Sequence, residues 1–263
     1  MGENVRIEID AGVAVVTMSR PERRNAFDDA MWGEFTAAFD ALLEDRRVRV
    51  VVLTGDGGNF TAGADVALVE GKGEAAASDG GPHPFLSLLD HLVENFDKPL
   101  IAAVDGVAVG FGVTVLLHSD FVFVSERARL RAPFVRLGVV PEAGSSFLFP
   151  AVLGTRRATE FLLTADFIDG LRAVELGIAN RCVPADELLG EAMATARRIA
   201  ENPPEATRAT KRLLLDARRD AVRSAIGREN AAFARRMGSP ENQEAIRAFR
   251  EKRPPDFSDS GSE

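Results

Sequence analysis

Two apolar runs that stop on glycine constrain the fold of this chain more than any other feature. VRVVVLTG (48–55) and PLIAAVDG (99–106) each carry a continuous β-branched or small apolar stretch and then a turn residue. Such runs form buried strands. VRIEID (5–10) alternates with period two, and AVVTMS (14–19) follows a glycine turn as a further strand. Between them and the first run, NAFDDAMWGEFTAAFDALLEDR (25–46) spaces its apolar residues as a helix does, with Trp32 as a core anchor. The order recurs after residue 99. A strand runs into a glycine turn, FGVTVLLHSD (111–120) reads as helix, and DFVFVSE and ARLRAP read as short strands. This is an approximate β-β-α register without a sequence repeat.

From Pro141 onward the pattern is almost entirely helical, through GTRRATEFLLTA, DGLRAVELG, ADELLGEAMATARRIAEN and an amphipathic tail from Pro204 to about Arg253. Strands early and helices late predict an α/β fold with a sheet core and a helical appendage. The apolar stripe of such an appendage needs a partner surface, commonly a neighbouring subunit. GKGEAAASDGGPHP (71–84) reads as a mobile surface loop, and the last residues, SDSGSE, as disordered.

Composition narrows the function classes. With 263 residues and 46% hydrophobic content, the chain has enough material for a sizeable core. It carries no apolar run near the roughly 20 residues that span a bilayer, and MGENVRIEID lacks the basic and apolar regions of a signal peptide, so a cytoplasmic location is expected. Cys182 is the sole cysteine and the three histidines are scattered, which leaves no basis for a disulfide framework or a metal cluster. A net charge of −8 argues against nucleic acid as the main partner. Local basic groups at Arg20, Arg23 and Arg24, at Lys211 and Arg212, and at Arg247, Arg250, Lys252 and Arg253 are ordinarily solvated faces, yet they leave room for an anionic small ligand.

One segment points to chemistry. Pro141-Glu142-Ala143-Gly144-Ser145-Ser146 puts a lone carboxylate at an expected helix start inside the apolar frame LGVVPEAGSSFLFP. Gly55 and Gly63 bracket a turn in which Asn59 to Asp65 lead into a helix-like ALVE segment, and Gly106, Gly110 and Gly112 surround Phe111 at another helix start. Backbone N–H groups at such turns are unsatisfied, so two could converge on one oxygen as an oxyanion hole. Either turn alone is a common structural construction.

The segments AVVTMSRPERRNAFDD, VVVLTGDGGNFTAGAD, PLIAAVDGVAVGFG, APFVRLGVVPEAGSSFLFP and TADFIDGLRAVELGIANRCVP occur in the order found in the crotonase superfamily, and the chain resembles that superfamily over roughly residues 5 to 255. The resemblance implies a crotonase-like (ClpP/crotonase) spiral of β-β-α units over 1–200, a C-terminal helical trimerisation region over 201–255 and a disordered tail over 256–263. It also implies an acyl-CoA thioester as substrate, with no cofactor beyond that coenzyme A, and a homotrimer or a dimer of trimers. By resemblance, the thioester oxygen falls between the backbone amides of Ala64 and Phe111.

Enoyl-CoA hydratases of this family use two glutamates to handle water. Their places here hold Thr114 and Phe134, neither of which can act as a comparable base. Glu142 stands where peroxisomal-type Δ3,Δ2-enoyl-CoA isomerases have their catalytic glutamate, so the resemblance implies a proton shuttle. Apolar neighbours such as Phe134, Val139, Val140 and Phe147 would raise its pKa, while a helix start at Pro141 would lower it. Arg23, Arg24 and Ala26 resemble the segment that meets the CoA nucleotide, and Ala62, Ala64, Asp65 and Leu68 the part beside adenine and pantetheine. Lys211 and Phe249 resemble residues that cover CoA from C-terminal helices. Asp120 and His118 read as structural, and His83 and His91 have no clear role. An atypical hydratase and a non-catalytic acyl-CoA-binding protein remain open alternatives.

Overall fold

The apolar runs are continuous because both faces of their strands are covered. The computed structural model describes residues 2–65 and 83–258. Strands β1 (Val5–Asp10), β2 (Val13–Met18), β3 (Val50–Gly55), β4 (Leu100–Val104), β6 (Phe121–Ser125) and β9 (Arg181–Val183) form one sheet in the order β1-β2-β3-β4-β6-β9. Only β1 and β2 pair antiparallel, and the other neighbours are parallel. On one face Val50, Val52, Ile101, Ala103 and Phe123 pack under the helix Leu188–Ala200. On the other, Val51, Leu53, Ala102 and Val104 join the main core with Phe35 and Phe39 from the helix Asp29–Glu44. Alternate residues therefore serve two cores, and both must be apolar.

A smaller sheet, in the order β5-β7-β8, positions the site. It contains β5 (Val107–Val109), β7 (Arg129–Arg131) and β8 (Ile168–Asp169). An isolated bridge from Thr61 to Ala108 continues it. Each turn of the chain thus passes from the large sheet to the small one and then into helix, as in β4 to β5 and β6 to β7. That is the spiral of β-β-α units expected from the sequence. Among the described residues the α-helices are, in chain order, α1 (Asp29–Glu44), α2 (Pro84–Asp90), α3 (Phe111–Thr114), α4 (Ser145–Leu153), α5 (Thr155–Thr164), α6 (Gly170–Glu175), α7 (Leu188–Ala200), α8 (Pro204–Asp216), α9 (Arg219–Arg236) and α10 (Pro240–Glu251).

Three readings need correction. The stretch after Pro141 is interrupted by β8 and β9, which are too short for a period to register in the sequence. The amphipathic tail is three helices, broken at 217–218 and at Met237 to Ser239, where Gly238 takes φ 72°. The helix expected at Pro141 begins at Ser145, because Ala143 (φ 60°) and Gly144 (φ 71°) are both left-handed. The expected mobile loop at 71–84 falls, up to residue 82, outside the described residues, as do the ALVE segment and the end of the tail. No helix among the described residues is long and apolar enough to cross a membrane.

Lys211 departs most clearly from expectation. It is only 5% exposed, and its Nζ donates to the Lys98 carbonyl and to Asp120 Oδ2, each at 2.7 Å. Burial pushes its ammonium pKa down while Asp120 opposes that shift. Asp120 also accepts from the Leu100 N–H at 2.7 Å, so this pair ties α8 to the starts of β4 and β6. The ammonium is committed to the fold and not to a ligand. Lys211→Ala is expected to lower stability by about 2–3 kcal/mol in urea denaturation, less than for a wholly buried pair because Asp120 keeps some solvent contact. The KM of the folded variant should stay at the parental value.

Candidate functional site

Two glycine turns are pressed against each other where the strands of the spiral end. A Cβ on Gly63, whose φ is 84°, would lie 2.5 Å from the Val109 carbonyl oxygen. A Cβ on Gly112 would lie 2.8 Å from Thr61 Cγ2 and 2.9 Å from the Thr61 carbonyl oxygen. Only glycine permits this approach without displacing backbone. The Thr61 N–H donates to the Val107 carbonyl and the Val109 N–H to the Thr61 carbonyl, both at 3.0 Å, which fixes the register between the turns.

Among the described residues, the pairing leaves the amides of Ala64 and Phe111 without an acceptor. Phe27 bridges Ala64 in parallel fashion through the Gly63 carbonyl and the Asp65 N–H, each at 2.8 Å, so the N–H of Ala64 itself faces away from Phe27. Phe111 is the first residue of α3, where an N–H has no partner within the helix. Its ring is held among Trp32, Phe27 and Phe85 at centroid distances of 4.8, 5.2 and 6.0 Å. The backbone at 111 is therefore anchored by aromatic packing. Ala64 and Phe111 both line one cavity of about 560 Å³.

Glu142 lines the same cavity, with Phe134, Leu137, Val139, Phe233 and Ile246 around it. It is the one acidic residue among the described lining residues. Its carboxyl pKa is pushed up to about 7, first by burial, then by the negative charge of Glu229, against a small opposing effect of the Thr114 hydroxyl. That hydroxyl reaches Oε1 at only 3.5 Å, and also donates to the Phe111 carbonyl at 3.3 Å. Behind Glu142, His118 Nε2 lies 2.8 Å from the Ala143 carbonyl. Burial pulls the His118 pKa down to about 4, so the ring is neutral and Nε2–H donates. His118 is thus a brace for the turn, in keeping with its structural reading. A carboxyl poised near neutrality beside two undonated amides can remove a proton from a carbon acid whose conjugate oxyanion those amides stabilise.

A family model for enoyl-CoA hydratase/isomerase matches residues 8–260. The chain belongs to the enoyl-CoA hydratase/isomerase family, within the crotonase superfamily. A Thermus thermophilus protein provisionally named as an enoyl-CoA hydratase is 39% identical over 95% of this chain and 100% of its own length. The Escherichia coli 1,2-epoxyphenylacetyl-CoA isomerase is 30% identical over 98% of this chain and 99% of its own. The crystal structure of an enoyl-CoA hydratase/isomerase from Pseudoalteromonas atlantica superposes with a TM-score of 0.90 at 32% identity, covering 97% of this chain and 100% of that one. Hydratase names outnumber isomerase names among such relatives.

For this member of the hydratase/isomerase family, the structure brings Ala62, Ala64, Phe111, Phe134, Glu142 and Phe249 to one cavity. Thr114 is buried behind the wall and meets the cavity only through Glu142, whose Oε1 its hydroxyl approaches at 3.5 Å. Phe249 is 62% exposed at the cavity rim. Arg23 and Arg24 are exposed on the short turn beside the first glycine turn, and Ala26 is buried. They are coupled to the cavity only through backbone, as where the Ala62 N–H donates to the Arg24 carbonyl at 2.9 Å. Asp65 contributes its N–H to the Phe27 bridge, and Leu68 lies outside the described residues. His83 caps α2, and His91 contacts Asp40 at 2.7 Å, both away from Glu142. Sequence reasoning missed Glu229 and the cavity-wall arginines Arg131 and Arg136, whereas Arg253, also on the wall, belongs to one of the basic groups that the sequence marks. A signal for Glu229 existed, since Val222, Ala225 and Glu229 recur at i, i+3 and i+7 on the buried face of α9.

Two outcomes follow from this geometry. Gly63→Ala should move the Ala64 amide and lower kcat about a hundredfold, the usual cost of losing one oxyanion donor, in a steady-state assay on folded enzyme whose melting temperature drops by several degrees. The second concerns stability. A carboxyl whose pKa is near 7 when folded and 4.5 when unfolded costs nothing below pH 4.5, destabilises progressively as pH rises from 4.5 to about 7, and keeps its full cost above that. Glu142→Gln should therefore stabilise the protein by the order of 1–3 kcal/mol at pH 8 and by little at pH 4.5, read from denaturation midpoints.

Proposed function

We propose that this protein is an acyl-CoA isomerase that moves a double bond from position 3 to position 2 of an enoyl-CoA, in the cytoplasm, with Glu142 as the proton shuttle. The observation that carries this reading is the lone carboxyl among the described residues of the cavity, poised near neutrality, with Thr114 and Phe134 in the places of the two hydratase glutamates. The thioester oxygen would accept from the N–H groups of Ala64 and Phe111. Ionised Glu142 would take a proton from C2, breaking that C–H bond and leaving a dienolate whose negative charge rests on the oxygen between the two amides. The neutral acid would then return the proton to C4 as the electrons shift to the C2–C3 double bond. No water is added and no net proton is consumed.

A raised pKa suits both halves of this cycle, because a carboxyl near 7 is a stronger base than an ordinary one and still donates readily. The apolar cavity wall suits an acyl chain, and Phe249, exposed at its rim, supports a path for the CoA moiety there. Leu213 and Leu214 on α8, both strongly exposed, support the homotrimer or dimer of trimers that the resemblance implies.

The names of many relatives favour hydration as a second reading. A 3-enoyl-CoA assay monitored for the conjugated product, run beside crotonyl-CoA hydration, separates the two. The proposal expects isomerisation, with hydration at least a hundredfold slower, and loss of isomerisation by about three orders of magnitude in Glu142→Gln. Because the base must be ionised in the free enzyme, kcat/KM should rise with pH through about 7. Efficient hydration, or full activity in Glu142→Gln, would refute the assignment. Binding of CoA esters without turnover of either substrate would point instead to a silent acyl-CoA-binding protein.

A further inference from the structure

The N-terminus of α4 lies immediately beside Glu142, and its donors are already taken. Glu229, buried on α9, accepts from the Gly144 N–H through Oε2 and from the Ser146 N–H through Oε1, each at 2.7 Å. An acceptor-only carboxylate with two oxygens matches two backbone donors, and a helix N-terminus favours a negative charge. The fit between the helices is tight, since a Cβ on Gly144 would lie 2.8 Å from Val222 Cγ1 of α9. The left-handed pair Ala143 and Gly144 is thus held from two sides, by Glu229 on α9 and by His118 through the Ala143 carbonyl.

From this we infer that Glu229 is a positioning residue of the active site, which occupies the α4 N-terminus in place of Glu142 and fixes the turn that aims Glu142 into the cavity. Glu142 precedes those amides in sequence and is the other carboxylate adjacent to them. Were the amides unoccupied, the turn could relax to let them bind Glu142, whose ionised form would then be stabilised and weakened as a base. With Glu229 in place, the helix terminus is neutralised and a second negative charge stands behind Glu142.

The other charged groups around Glu142 do not supply this effect. Arg136 is engaged by Asp166 and the Thr164 carbonyl, Arg253 by Glu244 and Glu251, and Arg131 donates to the Ala165 carbonyl. Arg236 is paired with Glu241, Arg218 donates to the Leu117 carbonyl, and His118 is neutral. After burial, the charge that raises the Glu142 pKa is that of Glu229. The C-terminal helical region is then part of the acid–base machinery as well as a covering layer.

This inference rests on the assignment of Glu142 as the shuttle, but its test does not need turnover. The carboxyl carbon of Glu142 is followed by 13C NMR pH titration, assigned by its absence in Glu142→Gln, in the parent, Glu229→Gln and Glu229→Asp, with the melting temperature of each recorded. Glu229→Gln keeps the shape and removes the charge, so the Glu142 midpoint should fall by about one pH unit, as expected when a nearby like charge is lost. Glu229→Asp keeps the charge but shortens the reach to α4. Its midpoint should also fall, by less than in Glu229→Gln because the like charge remains, while kcat falls about tenfold with KM unchanged. An unshifted midpoint in folded Glu229→Gln overturns the inference. If Glu229→Gln does not fold, parental kcat in Glu229→Asp overturns it. An inactive parent with a shifted midpoint would fault the isomerase assignment alone.

Discussion

The contact between the two glycine turns is the interaction on which the site depends. Gly63 sits on the Val109 carbonyl and Gly112 on Thr61, at separations that no side chain would allow. That contact is possible because β5 and the bridge at Thr61 lie side by side in the small sheet, which in turn requires the large sheet to be covered on both faces. The backbone amides of Ala64 and Phe111 are consequences of this packing. Neither side chain carries the function, and Phe111 is held by rings on α1 and α2.

Around those two amides the protein maintains an electrostatic imbalance. Burial alone would neutralise a carboxyl in this cavity, while a helix N-terminus three residues on would ionise it. Glu229 resolves the competition by taking the helix donors for itself. The remaining acid titrates near neutrality, at about 7, where a single group can alternate between base and acid within one catalytic cycle. The same imbalance makes ionised Glu142 unfavourable for the fold, as functional sites commonly are.

Much of this was legible in the sequence, for physical reasons that also mark the limits. The runs at 50–55 and 100–104 read as strands because burial on both faces leaves no polar alternation. The glycines at 63, 110 and 112 marked both turns, and the motif order marked the superfamily. The strands at 168–169 and 181–183 were too short to carry a period. The start of α4 was misplaced because Ala143 takes a left-handed φ that a non-glycine residue does not advertise. Lys211 resembles a residue that covers CoA, yet its partners, Lys98 and Asp120, are 113 and 91 residues away in sequence. Glu229 was missed for the same reason, since its contacts to α4 span 85 and 83 residues.

The central claim is that one carboxyl moves one proton across the acyl chain and activates no water. It is tested most directly by a single turnover of 3-enoyl-CoA bearing deuterium at C2, in water enriched in 18O. The account predicts conjugated 2-enoyl-CoA with measurable deuterium at C4 and no 18O, and neither product nor transfer in Glu142→Gln. Incorporation of 18O at C3 by the parent enzyme, or deuterium transfer that survives in Glu142→Gln, would contradict it.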